Sequence, residues 1–341
     1  MATESPGVER AAAPPLPTSR RGAALLRFLR HLVDRPLSLL GTVIVLFFIT
    51  LALIGPTIAP YRFDEGIRDA DRRFFLTYDA HPPVVPTRYY RWFGDSGRIG
   101  REITRGNLLE REAPSWQHPF GIDKDNRDVF SRVIWGTREI IILPGIATVL
   151  SVLFGTMLGL AVGYYGGWFD EVVSRMLDSL LAIPALVLAL VMLATIGPSN
   201  VGIVIVVVLL YTPIVTRVIR SATLNIRDMG YVEIARLRGE SPVYILFREI
   251  LPSVLPALTV EAALRFSYAI FLIASLGFLG LGVQPPSPDW GRMVDEARGE
   301  MTRAPWALWA PVAAIALLII GVNLMADGLR RIFRYESDRA R

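Results

Sequence analysis

Long runs of uncharged, apolar residues constrain this chain more than any other feature of its sequence. The first, Leu37–Ile58, contains no charged side chain. At 1.5 Å per residue, a helix over this run is roughly 33 Å long, enough to cross a hydrocarbon core of about 30 Å. Similar runs follow at Ile140–Gly163, Ser179–Ile196, Val201–Val215, Phe266–Val283 and Trp306–Ala326. The sequence therefore predicts an all-α, polytopic integral membrane protein with about six transmembrane helices.

These runs divide the chain into segments. We expect a tail over 1–35, a first transmembrane helix over 36–58, an insert and lead-in segment over 59–138, a five-helix core over 139–335 and a tail over 336–341. The first helix is expected to be retained, because the basic stretch before it is too long for a signal peptide and the apolar run spans. Residues 59–117 are polar and rich in aromatic residues. This pattern is typical of an extracytoplasmic loop or small subdomain, and a disordered loop is the alternative.

The arginines predict the orientation of the chain. They cluster before the first run, in the loop 217–255 between the fourth and fifth runs, and after the last run. Six spans place all three clusters on one side, which the positive-inside rule makes cytoplasmic. The basic net charge of +5 is explained by this orientation, so we expect lipid rather than nucleic acid as a partner. Both termini are expected in the cytoplasm of a bacterial or archaeal cell, with the chain in its inner membrane.

Several chemistries are excluded by composition. The chain has no cysteine and only three widely separated histidines, so we expect no disulfide, thiolate centre or metal site. Lys124 is the only lysine and no glycine precedes it, whereas a phosphate-binding Walker loop needs Gly-Lys-Ser/Thr. We therefore expect no catalytic site and no bound cofactor, and any ATP that drives the protein must be bound by another chain.

The loop 217–255 is the most informative segment. It is predicted to form a short helix, a break at Gly239, and a second helix that begins at Pro242 and ends at Pro252. Glycine can adopt the positive φ that lets two helices meet at an angle, and proline suits a first helical turn. Such a helix–turn–helix is built to dock into a partner, although an ordinary interfacial loop has the same pattern.

The same loop resembles the "EAA" loop of ABC importer permeases, in which Glu-Ala-Ala is followed by Gly and later by Ile-Leu-Pro. Here Ile234 departs from the motif and Ser253 stands where many members have Asn. The resemblance implies a type I importer permease core with a cytoplasmic coupling helix that sits in a cleft of the ATPase subunit. The implied ATPase-coupling residues are Tyr231, Glu233, Ile234, Ala235, Arg236, Gly239 and Ser241.

Other strings resemble the dipeptide/oligopeptide branch of these permeases. The most specific is Ser275–Gly291, and further matches lie at 118–132, 164–170 and 323–330. The resemblance implies a peptide importer with a second permease subunit, two ATPase subunits and an extracytoplasmic substrate-binding protein. The exact substrate and the residues that line its path stay open. A secondary transporter or channel, an exporter or sensor scaffold, and an intramembrane enzyme are the alternatives.

Small and charged residues near the spans allow narrower predictions. Glycines recur every fourth residue at 155, 159 and 163, which favours close packing within one subunit over a subunit interface. Trp290 after the fifth run is typical of an aromatic anchor at the membrane surface. Glu261 and Arg265 are expected to form an i,i+4 ion pair near the cytoplasmic boundary of the fifth span. Asp178 is expected just before the third span, and no charge is expected in the middle of any span.

Overall fold

Helices account for nearly all of the described chain. The computed structural model describes residues 36–60, 113–116, 118–284 and 287–339. The helices in these segments are Pro36–Ile58 (α1), Val129–Tyr165 (α2), Gly167–Leu181 (α3), Ala185–Ile196 (α4), Asn200–Ile226 (α5), Gly230–Leu237 (α6), Pro242–Phe278 (α7), Trp290–Arg298 (α8) and Pro305–Arg339 (α9). No strand occurs within the described ranges, so the all-α prediction is confirmed. The predicted tail 1–35 and most of the insert 59–117 lie outside them.

The number of membrane spans also agrees with the prediction. Five helices (α1, α2, α5, α7 and α9) are long and apolar enough to cross a membrane, and the bent pair α3–α4 is a sixth if it counts as one span. The predicted third span, Ser179–Ile196, is not one continuous helix, because residues 179–181 belong to α3 and the chain turns by 85° before α4. Pro184 explains the break, since a proline disfavours helical backbone at the residue before it.

Close packing of α2 on α5 forms the centre of the bundle. A Cβ atom on Gly155 would lie 2.5 Å from the Cβ of Val215, and one on Gly159 would lie 2.8 Å from the Cβ of Ile219. Real Cβ atoms do not approach so closely, so the two backbones can meet only where glycine occurs. The prediction that these glycines pack within the subunit is confirmed. In lipid, such contacts replace the hydrophobic drive that assembles helices in water.

The first helix is packed into the same bundle. A Cβ on Gly41 of α1 would stand 2.6 Å from the Cβ of Leu324 of α9. Val45 and Phe48 continue this face into a buried cluster that contains Leu318 and Val322 of α9. Because α1 packs closely against α9, α1 is part of the same helical bundle.

The helix α7 is longer than the sequence indicated. We expected the second helix of the loop to end at Pro252, which is wrong, because the chain stays helical from Pro242 to Phe278. Residues Ile245–Ile250 form a π-helical turn, in which the Leu251 N–H reaches back to the carbonyl of Leu246. Pro252 follows this wider turn, where a proline lacking an N–H donor is accommodated in the first turn of the next helical segment. The loop and the span are therefore one continuous element.

The short helix α8 covers the end of the bundle opposite to α6. Trp290 is fully buried, and its indole N–H donates to the carbonyl of Val133 on α2 at 3.0 Å. The prediction of a surface anchor is therefore wrong for Trp290. Gly291 permits this packing, since a Cβ there would overlap the carbonyl oxygen of Ala274. We call this end of the bundle the α8 end, and the opposite one the α6 end.

Candidate functional site

The helix α6 has one buried face and one exposed face. Val232 and Ala235, three residues apart, are fully buried in a cluster with Leu160 of α2, Ile219 of α5 and Ile250 of α7. This spacing places both side chains on one helical face, and burying that face holds the short helix against the spans. A helix of this length is not stable alone, so its position depends on this packing.

Gly239 ends α6 with the geometry that the sequence predicted. Its φ is +78°, a conformation that only glycine adopts without strain. The N–H of Gly239 donates to the carbonyl of Arg236 at 2.9 Å, and the N–H of Glu240 donates to that of Ala235 at 3.2 Å. This pair of hydrogen bonds is the Schellman motif, which satisfies the last carbonyls of a helix. The chain then turns sharply toward α7.

Ser241 begins the next helix. Its hydroxyl accepts a hydrogen bond from the N–H of Tyr244 at 3.3 Å, and Pro242 occupies the first helical position. This is the usual N-cap arrangement, with proline where its missing N–H costs nothing. Together, Gly239 and Ser241 set the angle between α6 and α7.

Two side-chain contacts fix α6 to the spans on either side. The hydroxyl groups of Tyr231 and Ser253 lie 3.0 Å apart and join α6 to α7. The guanidinium of Arg236 lies over the ring of Tyr164, 5.0 Å from its centroid, and joins α6 to the end of α2. The loop is therefore in contact with three long helices, α2, α5 and α7.

The outer side of this loop presents an apolar surface. Leu237 is 82% exposed and Ile234 is 58% exposed, and Val243 and Phe247 of α7 are exposed beside them in sequence. We call these four residues the docking surface. Several exposed apolar side chains in one short segment of the chain are typical of a protein contact site.

The structure divides the seven predicted coupling residues into two groups. Ala235 is buried and supports α6 from beneath. The other six lie on the exposed side of the loop: Tyr231, Glu233, Ile234, Arg236, Gly239 and Ser241. Sequence reasoning missed Leu237, Val243 and Phe247. Leu237 had a signal, because it is an apolar residue of α6 out of phase with the buried pair Val232 and Ala235. Val243 and Phe247 had none, because they lie in another helix beyond the turn at Gly239.

An ion pair lies inside a candidate span. The Arg265 Nε atom is 2.8 Å from the Glu261 Oε1 atom, both residues are buried, and the guanidinium also lies 4.8 Å from the ring centroid of Tyr268. The predicted i,i+4 pairing is confirmed. The helix that holds the pair begins at Pro242, well before the predicted start near Phe266. The location of the pair near the cytoplasmic boundary stays a prediction.

Two further ion pairs connect α3 to α5. Arg220 binds both carboxylate oxygens of Asp170, and Arg217 binds Asp178. Asp178 lies within α3. We expected it just before the third span, and the chain instead bends between α3 and α4. These pairs attach the bent α3–α4 segment to the central helix α5.

A network of charges closes the α8 end. Arg132 donates to Asp123 at 2.8 Å and to Glu296 at 2.9 Å, and Arg127 also binds both carboxylates. Burial raises the pKa of Glu296, but the guanidinium groups of Arg132 and Arg127 outweigh it and lower that pKa to about 2. Asp123, Asp125 and Glu296 are close enough to hold a metal ion. The arginines already neutralise them, so an ion-pair network explains this cluster.

Two families match the sequence over separate ranges. Residues 155–335 match the family described as "binding-protein-dependent transport system inner membrane component". Residues 25–83 match the "N-terminal TM domain of oligopeptide transport permease C". The first range contains the whole docking surface and most of the helical core.

Similar proteins include two named permeases and one solved structure. The dipeptide transport system permease protein DppC of Alkalihalophilus pseudofirmus is 39% identical over 67% of this chain and 75% of its own length. The glutathione transport system permease protein GsiD of Pectobacterium atrosepticum is 42% identical over 64% of this chain and 73% of its own. One chain of the inward-facing MetNI methionine ABC transporter shares the fold, with a TM-score of 0.50 and 17% identity over 59% of this chain and 95% of that chain.

The fold defines a multi-pass helical membrane protein with an exposed, partly apolar loop at one end. The chain belongs to the binding-protein-dependent transport system inner membrane component family, in the peptide/nickel branch of the ABC importer permeases. Members of this family are subunits of larger transport complexes and have no catalytic site of their own. The chain is accordingly a multi-pass inner-membrane protein, as the sequence predicted.

Proposed function

We propose that this chain pairs with a second, homologous permease subunit to form the translocation pathway of an importer for di- or oligopeptides. Two separate ATPase subunits bind ATP and contact the docking surface. An extracytoplasmic binding protein delivers the substrate to the α8 end. Peptides are favoured because the similar permeases are named for a dipeptide and for glutathione, itself a small peptide.

The observation that carries this proposal is the continuity of the loop with the spans. The helix α6 packs on α2 and α5 through Val232 and Ala235, and α7 extends without interruption from the loop to the α8 end. A force applied to the docking surface is therefore transmitted to three spans at once. Differential binding of ATP to two states of the complex then shifts the equilibrium between an inward-open and an outward-open pathway.

The orientation follows from the same proposal. The ATPases are cytoplasmic, so the α6 end faces the cytoplasm and the α8 end faces outward. Arginines dominate the loop at the α6 end, with Arg217, Arg220, Arg227, Arg236, Arg238 and Arg248. This bias agrees with the positive-inside rule. In the proposed orientation both termini lie in the cytoplasm.

Replacing the docking surface tests the proposal. The double substitution Ile234→Glu and Leu237→Glu introduces two charges into the contact while leaving the buried face of α6 intact. In membranes that contain all subunits, we expect copurification of the ATPases to fall by more than about tenfold, the effect of removing contact hot spots. Met301→Glu is the matched control, because Met301 is an exposed apolar residue near the α8 end.

Two results would contradict the proposal. One is undiminished ATPase copurification with the double variant. The other is substrate uptake by proteoliposomes that contain this chain alone, which would favour a secondary transporter or channel instead. Normal membrane insertion of both variants is the control for folding.

A further inference from the structure

A cavity at the α8 end lies far along the spans from the docking surface. It has a volume of about 520 Å³ and is lined by Trp135, Arg138 and Glu139 of α2, Ser199 and Asn200 at the start of α5, and Gln284 after α7. Ligand sites have volumes of about 300–1,000 Å³, so the cavity is large enough for a small solute. The function proposed above assigns no role to it.

Two opposite charges line the cavity: Arg138 is exposed, and Glu139 is half-buried and close enough to the buried Asp289 to raise its pKa. Arg138 and Glu139 have no ion-pair partner among the described residues, whereas Asp123, Arg127, Arg132 and Glu296 at the same end are all paired. Trp135 lies three and four residues before them and therefore shares their helical face. One wall of the cavity thus offers a cation, an anion and an aromatic surface together.

The opposite wall supplies polar groups. The helix α5 begins at Asn200, and the hydroxyl of Ser199 accepts a hydrogen bond from the N–H of Gly202 at 3.0 Å. The first turn of a long helix has unpaired N–H groups and a partial positive charge, which favour an anion near Arg138. The side-chain amide of Gln284 donates to the carbonyl of Gly282 at 3.0 Å, so its oxygen remains available as an acceptor.

We propose that this cavity binds the charged ends of a short peptide as it enters the pathway. Arg138 pairs with the peptide carboxylate, Glu139 pairs with its ammonium group, and Trp135 packs against its apolar part. A ligand of a single charge would leave one of the two residues unpaired in the cavity, whereas a zwitterion neutralises both. This inference rests on the proposed function, because it takes a peptide as the substrate.

Photo-crosslinking of the complete transporter in membranes tests the site. The probe is glycyl-p-benzoylphenylalanine, and the labelled residues are mapped by mass spectrometry. We expect labels on the cavity-lining stretches of α2 and of the segment after α7. Excess glycyl-phenylalanine should suppress them, and its N-acetylated, C-amidated form should not.

Single substitutions separate the two contacts. At a subsaturating concentration of probe, Arg138→Gln and Glu139→Gln should each lower labelling by about tenfold, the effect of losing one charge-assisted hydrogen bond. Arg138→Gln should also abolish the difference in labelling between the probe and its C-amidated form. Glu139→Gln should abolish the difference in labelling between the probe and its N-acetylated form. Arg303→Gln is the matched control, because Arg303 is exposed near the same end and should label like the wild type.

Four outcomes would overturn the assignment: equal labelling of both variants and the wild type, equal competition by the blocked peptide, label on the binding protein alone, or an equal loss of labelling with the free, C-amidated and N-acetylated probes. The last would mean that the cavity had collapsed. Label on the binding protein alone would show that the probe binds that protein and not this cavity. ATPase copurification is measured in the same membranes. Normal copurification without specific labelling would contradict the cavity assignment alone, whereas lost copurification would contradict the proposed function.

Discussion

The hydroxyl of Tyr231 lies 3.0 Å from the hydroxyl of Ser253. This contact joins the first turn of α6 to a point about three turns into α7, on the far side of the bend at Gly239. It is exposed to solvent, so its contribution is modest, about 0.5–1.5 kcal/mol. The contact matters because of its position: it connects α6, which carries Ile234 and Leu237 of the docking surface, directly to α7.

Removing this contact is expected to loosen α6 without unfolding the chain. Tyr231→Phe should make the amide hydrogens of α6 exchange up to about tenfold faster, because one hydrogen bond no longer opposes local opening. Hydrogen-exchange mass spectrometry of the complex measures this. Ser253→Ala should have the same effect, and the double variant should add nothing. Additive effects would show that the two hydroxyl groups act independently.

Gly239 is expected to tolerate no ordinary side chain. Its φ of +78° costs an L-residue about 1–2 kcal/mol, and proline cannot adopt it because its ring holds φ near −65°. Gly239→Ala should reduce peptide transport and Gly239→Pro should abolish it, with normal membrane insertion in both cases. Gly230→Ala is the control, since a Cβ there meets nothing within 4 Å. Full transport by Gly239→Pro would disprove the role of the bend.

The contact between α2 and α5 is expected to be intolerant of added volume. A Cβ on Gly159 would lie 2.8 Å from the carbonyl oxygen of Thr216, which is backbone and cannot rotate away. Gly159→Ala should therefore destabilise the protein by about 1–3 kcal/mol and lower its Tm in detergent. Gly145→Ala on the same helix should be nearly neutral, because its nearest neighbour is the ring of Phe266 at 4.0 Å. Equal Tm values for the two variants would contradict the packing.

Asp289 is expected to make stability depend on pH. Burial raises its pKa to about 6, against the opposing effect of the backbone N–H of Arg292. A carboxyl whose pKa is raised by folding is favoured in its protonated form. Its contribution to stability is therefore present below about pH 4 and is lost as the pH rises through 6, by on the order of 3 kcal/mol.

Asp289→Asn should remove this dependence, because asparagine can still cap α8. Relative to this variant, the wild type should lose thermal stability between pH 4 and 6. Glu296 does not affect this comparison, because both proteins contain it. Its pKa is lowered to about 2, so its own contribution is lost as the pH falls below about 4.5 toward that value. A constant difference in Tm from pH 4 to 7 would show that Asp289 is not buried as described.

Features with a local cause were predictable from the sequence. The apolar runs indicated the spans, since length and hydrophobicity alone decide which segments enter a membrane. The bend at Gly239 and the helix start at Pro242 were predictable too, because both depend on the backbone preferences of single residues. The repeat of Gly155, Gly159 and Gly163 indicated close packing because its spacing matches one helical face.

Features that depend on a distant partner were not predictable. Trp290 looked like a surface anchor and is buried, because its indole N–H finds the carbonyl of Val133, which is 157 residues away along the chain. Pro252 looked like a helix end and is not one, because the preceding π-helical turn makes room for it. No sequence pattern distinguishes these outcomes, since the first is decided by a neighbour from another helix and the second by the hydrogen-bond register of the preceding helical turn.

The sequence by itself determined that this chain is a helical membrane protein with a bent loop between its fourth and fifth apolar runs. Those properties follow from hydrophobicity and from local backbone preference. Only the tertiary structure decided which side of the loop is exposed, how α7 joins it to a span, and which charges at the α8 end remain unpaired. Burial and ion pairing depend on which residues are in contact, and only the packed bundle determines those contacts.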